Sequence, residues 1–368
     1  MYKVCRAGDI VFNKMSIRAG ALGVAAEDGL VTYHYEVMRP LPDNDARFIV
    51  YLMKSTSFIA ELIARERGIG SGDQTNVRTT EVPFSVLKTI DAFIPTMEQQ
   101  RAIADFLDRE TAKIDALIAK QEQLIATLRE DRIATITHAV TKGLDPDVEM
   151  VDSGIPWLGQ IPSHWTLGKV KHGFSVVLGK MYQGARQSSN DQLLPHLKAG
   201  SLNEALELDL DDPMLCWFTP EEMRKLSVRK DDLLVVEGGA TYGRCAIVRE
   251  DLPGWGFQKS LNRVRARGDD SIRFLAYLIR SATEIGHVSI LCGKATIPHF
   301  TAEKLESLEW PHPKPVEQQE IVSFLEDRCA SINALIAKAE EVIRTLREYR
   351  SALVTDAVTG KIDVRGAA

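Results

Sequence analysis

Apolar residues recur at helical spacing from Phe106 to Asp145, and the same string returns from Phe324 to Asp363. FLDRETAKIDALIAKQEQLIATLREDRIATITHAVTKGLD is answered by FLEDRCASINALIAKAEEVIRTLREYRSALVTDAVTGKID. The step from Phe106 to Phe324 is 218 residues, and roughly half of the aligned positions are identical. Each copy is introduced by one short string, Glu98-Gln99-Gln100 and Glu317-Gln318-Gln319, set one residue differently before the phenylalanine. Thr96 with Gln99 three residues later reads as a capping box, and Pro315 suits a first helical turn. Two long helices are therefore predicted, closed by Gly143 and Gly360.

In the second helix Leu325, Ile332, Ala339, Leu346 and Leu353 recur every seventh residue, and Leu335, Val342 and Tyr349 fill the other seam position. The first helix matches with Leu107, Ile114, Gln121 and Leu128, plus Leu117 and Leu124. Such a seam predicts a coiled coil between the copies, with Gln121 against Ala339 as a polar, underfilled layer. At ~1.5 Å per residue, helices of this length make a rod of roughly 60–70 Å. The alternative is that each helix packs on its own domain.

The intervening segments repeat more faintly. Gly8-Asp9-Ile10-Val11-Phe12 resembles Asp231-Asp232-Leu233-Leu234-Val235, an acidic turn before a buried strand. Arg47-Phe48-Ile49-Val50-Tyr51-Leu52 resembles Arg273-Phe274-Leu275-Ala276-Tyr277-Leu278, the start of an amphipathic helix. The chain reads as a globular domain plus a long helix, twice over.

Composition narrows the function classes. The 368 residues are 45% hydrophobic and 26% charged, an ordinary globular balance for two or three domains. Five scattered cysteines make no C-x-x-C pair, so neither a disulfide framework nor a zinc site is outlined, and a reducing cytoplasm fits. No apolar run reaches the ~18 residues of a membrane span, and the first residues do not open a signal peptide. A net charge of -6 weighs against a DNA binder that works alone. The average hides an acidic stretch from Glu204 to Asp212 and a locally basic one from Val228 to Arg267.

Ser153-Gly154-Ile155-Pro156-Trp157-Leu158-Gly159-Gln160-Ile161-Pro162-Ser163-His164-Trp165 resembles the opening motif of a target-recognition domain. With the Glu-Gln-Gln helix starts, the Ala-Leu-Ile-Ala-Lys runs and the closing Val-Thr-Gly-Lys-Ile-Asp-Val-Arg, the chain is similar to specificity subunits of type I restriction-modification systems. The resemblance implies an α+β fold, in which two target-recognition domains are separated by two long antiparallel coiled-coil helices. Residues 1–95 would be a partial first domain, 96–145 the first spacer helix, 150–313 the second domain and 315–360 the second spacer helix. It also implies that each domain reads half of a split site in double-stranded DNA, that the helices set the spacer, and that they dock modification subunits. S-adenosylmethionine, ATP and Mg2+ would be used by the modification and restriction subunits, with no cofactor, metal or catalytic residue in this chain. The first domain lacks a copy of the opening motif, so the resemblance implies a start truncated or misassigned at Met1.

Base readout needs paired donors and acceptors on loops. In the second domain the candidates are Lys180, Tyr182, Gln183 and Arg186, then Gly238, Gly239, Thr241, Tyr242 and Arg244. Gln258, Lys259, Ser260 and Asn262, with Lys294, Thr296 and His299, complete that surface. In the first domain they are Asn13, Lys14, Arg18, His34, Gln74, Asn76 and Arg78. Solvated loop tips are the plain alternative. Glu237-Gly238-Gly239-Ala240-Thr241-Tyr242-Gly243 lacks the Lys-Ser/Thr ending of a phosphate-binding loop. An independent methyltransferase or motor would also need an Asn/Asp-Pro-Pro-aromatic motif or a P-loop, and the sequence has neither. The rival to a reader is an assembly subunit that binds modification subunits but reads one half-site or none.

Overall fold

The computed structural model describes residues 2–364 apart from 66, 69–79, 82–83 and 294–297. Gln74, Asn76, Arg78, Lys294 and Thr296 lie outside the described residues. The chain divides into two compact units, Met1–Ala126 with Ile336–Ala368, and Thr127–Leu335.

In the first unit, β1 (Tyr2–Cys5), β2 (Ile10–Asn13), β3 (Leu22–Val24), β4 (Gly29–Thr32) and β5 (Tyr35–Met38) precede α1 (Ala46–Lys54), α2 (Thr56–Arg65) and the long α3 (Met97–Lys142). β2 lies antiparallel between β3 and β5. Its side chains alternate, so Ile10 and Phe12 enter a core with Phe48, Leu52 and Met53 of α1. Asp45 starts α1 by accepting the backbone N–H groups of Arg47 and Phe48.

The second unit contains β6 (Phe174–Leu178), β7 (Gln192–Leu197), β8 (Met214–Phe218), α4 (Pro220–Leu226), β9 (Leu233–Val236), β10 (Cys245–Ile247), β11 (Gly256–Phe257), β12 (Leu261–Ala266), α5 (Ile272–Glu284) and the first part of α6 (Pro315–Val358). One sheet runs β6-β12-β9-β10, antiparallel throughout, and β8-β7-β11 form another. All four residues of β9 are buried because the strand separates two cores. Leu233 and Val235 pack with Phe274, Leu275 and Leu278 of α5, whereas Leu234 and Val236 face Phe218 and Phe257. A strand covered on both faces reads as a continuous apolar run, as this one does.

The duplication is physical as well as sequential. Asp9 takes both Nε and Nη2 of Arg39 at 2.9 Å, and Asp232 takes Nε and Nη2 of Arg265 at 2.5 and 2.7 Å. Each aspartate also caps a turn, through the N–H of Arg6 or Arg229. The residue before each adopts positive φ, Gly8 at 89° and Asp231 at 62°, the latter at the cost that a side chain meets in the left-handed region.

Each long helix starts on a buried glutamine. Gln100 Oε1 accepts the N–H of Asp45 at 2.8 Å, and its Nε2 donates to the carbonyls of Asp43 and Pro95. Gln318 Oε1 accepts the N–H of Ser271 at 2.7 Å, and its Nε2 donates to Asp270 Oδ1 and the carbonyl of Pro313. Both residues meet the N-cap of the preceding domain helix, Asp45 of α1 and Ser271 of α5, so Gln100 corresponds to Gln318 and the 218-residue step holds without a slip. The matching letters of the two Glu-Gln-Gln strings are offset by one from this equivalence. Gln99 forms the expected capping box with Thr96, while its counterpart Glu317 accepts from Trp165 Nε1 at 2.9 Å.

The two helices run antiparallel. Asp115 meets Arg350 and Glu122 meets Arg347 in the first unit, and Asp131 meets Arg328 in the second. These exposed pairs set direction more than stability, since such bridges contribute little. Leu107, Ile114, Leu325 and Ile332 are buried as expected, and Leu128 and Leu346 are half-buried. The other seam position differs: Leu117, Leu124, Leu335, Val342 and Tyr349 are 46%, 45%, 53%, 36% and 58% exposed. Ile125, Ile336 and Ile343 are buried in their place. The inward step from Ile332 is thus four residues, to Ile336, because apolar residues occupy both i+3 and i+4 and packing selects the second. Pairing does not exclude packing on a domain. Leu107 and Val354 belong to the first unit's core, and Ile136, Val140 and Leu325 to one of the second's.

Candidate nucleic-acid interface

In the antiparallel sheet of the second unit, β6 and β9 end where β12 and β10 begin. The connecting segments therefore emerge together. Lys180 N–H donates to the Phe257 carbonyl and Lys259 N–H to that of Lys180, at 3.2 and 2.7 Å. Glu237 N–H donates to Ser260 O at 2.8 Å, and Phe300 N–H to Glu237 O at 2.6 Å. Four stretches far apart in sequence thus form one surface at one end of the sheet.

The structure sorts the candidates on it. Tyr182 is 51% exposed, and Arg186, Lys259 and His299 are exposed beside it. Arg186 is braced by the Ser188 carbonyl at 2.9 Å and lies over the Trp217 ring at 5.5 Å, which presents its guanidinium in one orientation. Gln183, Gln258, Ser260, Thr241 and Tyr242 are half-buried. Ser260 Oγ donates to Gln258 Oε1 at 3.0 Å. A Cβ at Gly238 would come 2.8 Å from His299 Nδ1, so a side chain there would displace the His299 ring. Gly239 has φ +89°, which a side chain would strain.

Two polar candidates turn inward. Lys180 is only 10% exposed at its side chain, paired with Glu222 at 2.6 Å and donating to the Trp217 carbonyl at 2.8 Å. It anchors the cap of α4, where Glu222 also accepts the N–H of Thr219. The burial cost of the Glu222 carboxylate is outweighed by Lys180 and Thr219, which lower its pKa. Asn262 is wholly buried and donates to the Phe300 carbonyl at 3.0 Å, holding the loop that carries His299. Neither presents its polar atoms to a base edge in this structure.

In the first unit, Asn13 ends β2, and Lys14 and Arg18 lie in the connection from β2 to β3, the counterpart of the turn between β9 and β10. Asn13 Oδ1 accepts the N–H of Met15 at 2.9 Å, and Lys14 lies 4.0 Å from Glu36. His34 lies against Tyr33 in a tilted ring contact, with centroids 3.8 Å apart.

The opening motif does structural work. Leu158, Ile161 and Trp165 pack with Ile136 and Val140 near the end of α3, and His164 and Trp165 bind Glu317 at the start of α6. Trp157 stacks on His287 at 4.8 Å. Among the described residues, no group of three or more His, Cys, Asp or Glu side chains could hold a metal ion. The five cysteines are free and buried, and burial pushes the Cys245 thiol up to about 12. No described helix is long and apolar enough to cross a membrane.

Residues 197–345 match the type I restriction modification DNA specificity domain, spanning most of this sheet surface and much of α6. That match spans 149 of the 368 residues. Among curated relatives, the type I restriction enzyme StySPI specificity subunit of Salmonella potsdam is 21% identical over 210 residues, and the EcoKI specificity subunit of Escherichia coli (strain K12) is 22% identical over 211. Each match takes in 55% of this chain and 44% of the relative, so it spans less than half of the length of these relatives. The fold is shared with a solved chain described under complex assembly and conformational transition of the type I R-M system, at TM-score 0.75 and 16% identity, covering 98% of this chain and 84% of that one. The HsdS subunit from Thermoanaerobacter tengcongensis gives TM-score 0.54 at 16% identity, covering 98% and 83%.

One feature of the interface was hidden from sequence reasoning: Arg129 and Arg132 of α3 line a cleft with Arg244 and Arg280. The available signal was the repeat itself, which places Arg347 and Arg350 at the same positions of α6.

Proposed function

We propose that the chain selects the target of a type I restriction-modification assembly, with residues 1–95 and 150–313 each reading one half of a bipartite site in double-stranded DNA. The observation that carries this reading is the duplicated anchoring. The two units share the Asp9–Arg39 and Asp232–Arg265 pairs, the Gln100 and Gln318 clamps, and the contacts of Arg47 with Asp108 and Arg273 with Glu326. Two alike modules on antiparallel helices suit a site with two separate halves. The chain performs no catalysis in this reading; modification and restriction subunits supply it with S-adenosylmethionine, ATP and Mg2+. Tyr182, Arg186, Lys259 and His299 contact DNA, with Asn13, Lys14 and Arg18 serving the first module. Leu117, Leu124, Val342 and Tyr349, exposed on the paired helices, dock the modification subunits. The free thiols accord with work in the cytoplasm.

The test is module exchange. Residues 150–313 are replaced by the corresponding block of another family member, the assembled enzyme is allowed to methylate genomic DNA, and the modified sites are sequenced. One half of the site should change and the other remain. A change in both halves, or in neither, overturns the reading.

A further inference from the structure

The second unit holds a cleft of about 440 Å³ between α3, the end of α5 and the Ala240–Cys245 turn. Its charged lining is Arg129, Arg132, Arg244 and Arg280 against Glu204 and Glu284. The two signs are not placed alike. Arg132, Arg244 and Arg280 are half-buried, whereas Glu204 and Glu284 are exposed, with Glu204 3.9 Å from Arg244. Water screens the carboxylates more than the guanidinium groups, so the interior of the cleft is cationic.

Among the described residues, no carboxylate is paired with Arg132. Its Nη1 donates to the neutral Asn333 Oδ1 at 2.7 Å, and its Nε is shielded from solvent without an acceptor. Burial first and then neighbouring Arg280 push its pKa down, and Glu204 and Glu284 offset this only in part. The other half of the duplication is the internal control. There the counterpart of Arg132 is Arg350, which takes both oxygens of Asp115 at 2.9 and 3.2 Å. The counterpart of Asp115 is Asn333. One aspartate-to-asparagine difference thus leaves the second unit with a guanidinium that has only the exposed Glu204 and Glu284 as distant counter-charge, where the first has a closed ion pair.

We propose that this cleft holds a backbone phosphate of DNA, gripped by Arg132 and Arg280 with Arg244 at the rim. The inference rests on the reading of the chain as a DNA-recognition subunit and adds to it a fixed phosphate anchor. Guanidinium forks match phosphate oxygens in pairs. The turn over the cleft continues into the exposed surface of Tyr182, Lys259 and His299, through the Glu237 N–H bond to Ser260. A duplex on that surface therefore brings its backbone to the cleft, and a phosphate held there fixes register without reading sequence.

The decisive variant is Asn333→Asp, which installs the ion pair that the first unit already carries and so leaves the fold intact. Binding of the full chain to a short mixed-sequence DNA duplex is followed by fluorescence anisotropy across a salt series. Loss of one phosphate contact should weaken binding about five- to tenfold near 0.1 M salt, and reduce the slope of log K against log salt by about 0.9. Arg132→Gln combined with Arg280→Gln should do the same, because both residues serve one phosphate. Wild-type binding with Asn333→Asp unchanged in affinity and slope overturns this site alone. No DNA binding by the wild-type chain overturns the recognition reading and the site with it. Inorganic phosphate and AMP are titrated by calorimetry in parallel. Heat from either that disappears in Asn333→Asp, with DNA binding unaltered, would assign the cleft to a free phosphate and overturn the DNA source.

Discussion

Replacing Gln318 by alanine removes the side chain that ties the start of α6 to α5 and to the end of the second recognition module. Three hydrogen bonds are lost, at 2.7 Å from Ser271 N–H, 3.0 Å to Asp270 and 2.9 Å to the Pro313 carbonyl. Gln318 is 0% exposed, so water does not replace it without rearrangement. Each net bond is worth about 0.5–1.5 kcal/mol, and each orphaned buried backbone group costs about 1–3 kcal/mol. Because these contributions overlap, a total of about 3–5 kcal/mol is expected. For a unit of about 150–250 residues, each kcal/mol moves Tm by about 2–4 °C, giving a fall on the order of 10 °C. Differential scanning calorimetry of the full chain measures it, with Gln319→Ala as the comparison. Gln319 is the exposed neighbour in the same string and should cost less than about 0.5 kcal/mol. A Gln318→Ala Tm within about 2 °C of wild type, or an equal effect of Gln319→Ala, would refute the clamp and the equivalence of Gln100 with Gln318.

Three further outcomes follow from other parts of the molecule. Ile125→Ala and Ile343→Ala should each destabilise by about 2–4 kcal/mol in urea unfolding, while Leu117→Ser and Val342→Ser should each cost under about 0.5 kcal/mol; the opposite ranking would return the seam to the three-residue step. The Asp9 carboxyl is held down at about 2 by Arg39 and then by the Arg6 N–H. Its stabilisation is therefore complete above the ordinary carboxylate range and fades as pH falls through about 2, so Asp9→Asn should flatten acid unfolding monitored by circular dichroism between the ordinary value of 3.8 and about 2. His196 is buried, and burial followed by Lys180 lowers its pKa from 6.5 to about 4. The unfolded chain takes up this proton first, so stability falls as pH drops from 6.5 towards 4. His196→Phe should remove part of that fall in urea titrations at a series of pH values, and an unchanged slope would show that His196 does not contribute.

The long helices were legible because a helix is written locally: heptad spacing, a capping box at Thr96 and Gln99 and terminal glycines need no distant partner. The acidic turns before β2 and β9 were legible for the same reason, and the 218-residue repeat exposed the duplication directly. Local pattern could not choose between Leu117 and Ile118, or between Leu335 and Ile336, because each neighbouring pair is apolar and only the opposing helix decides which enters the seam. Lys180 and Asn262 had the composition of a DNA-reading loop, yet Glu222 and the Phe300 carbonyl, each about 40 residues away in sequence, draw them inward. The same reasoning explains the arginine cleft. Arg132, Arg244 and Arg280 are isolated charges along the chain, and Asn333 is an unremarked polar residue on a helix face. Folding places them together, and the low polarisability of the half-buried cleft makes the loss of a single carboxylate, relative to Asp115, matter.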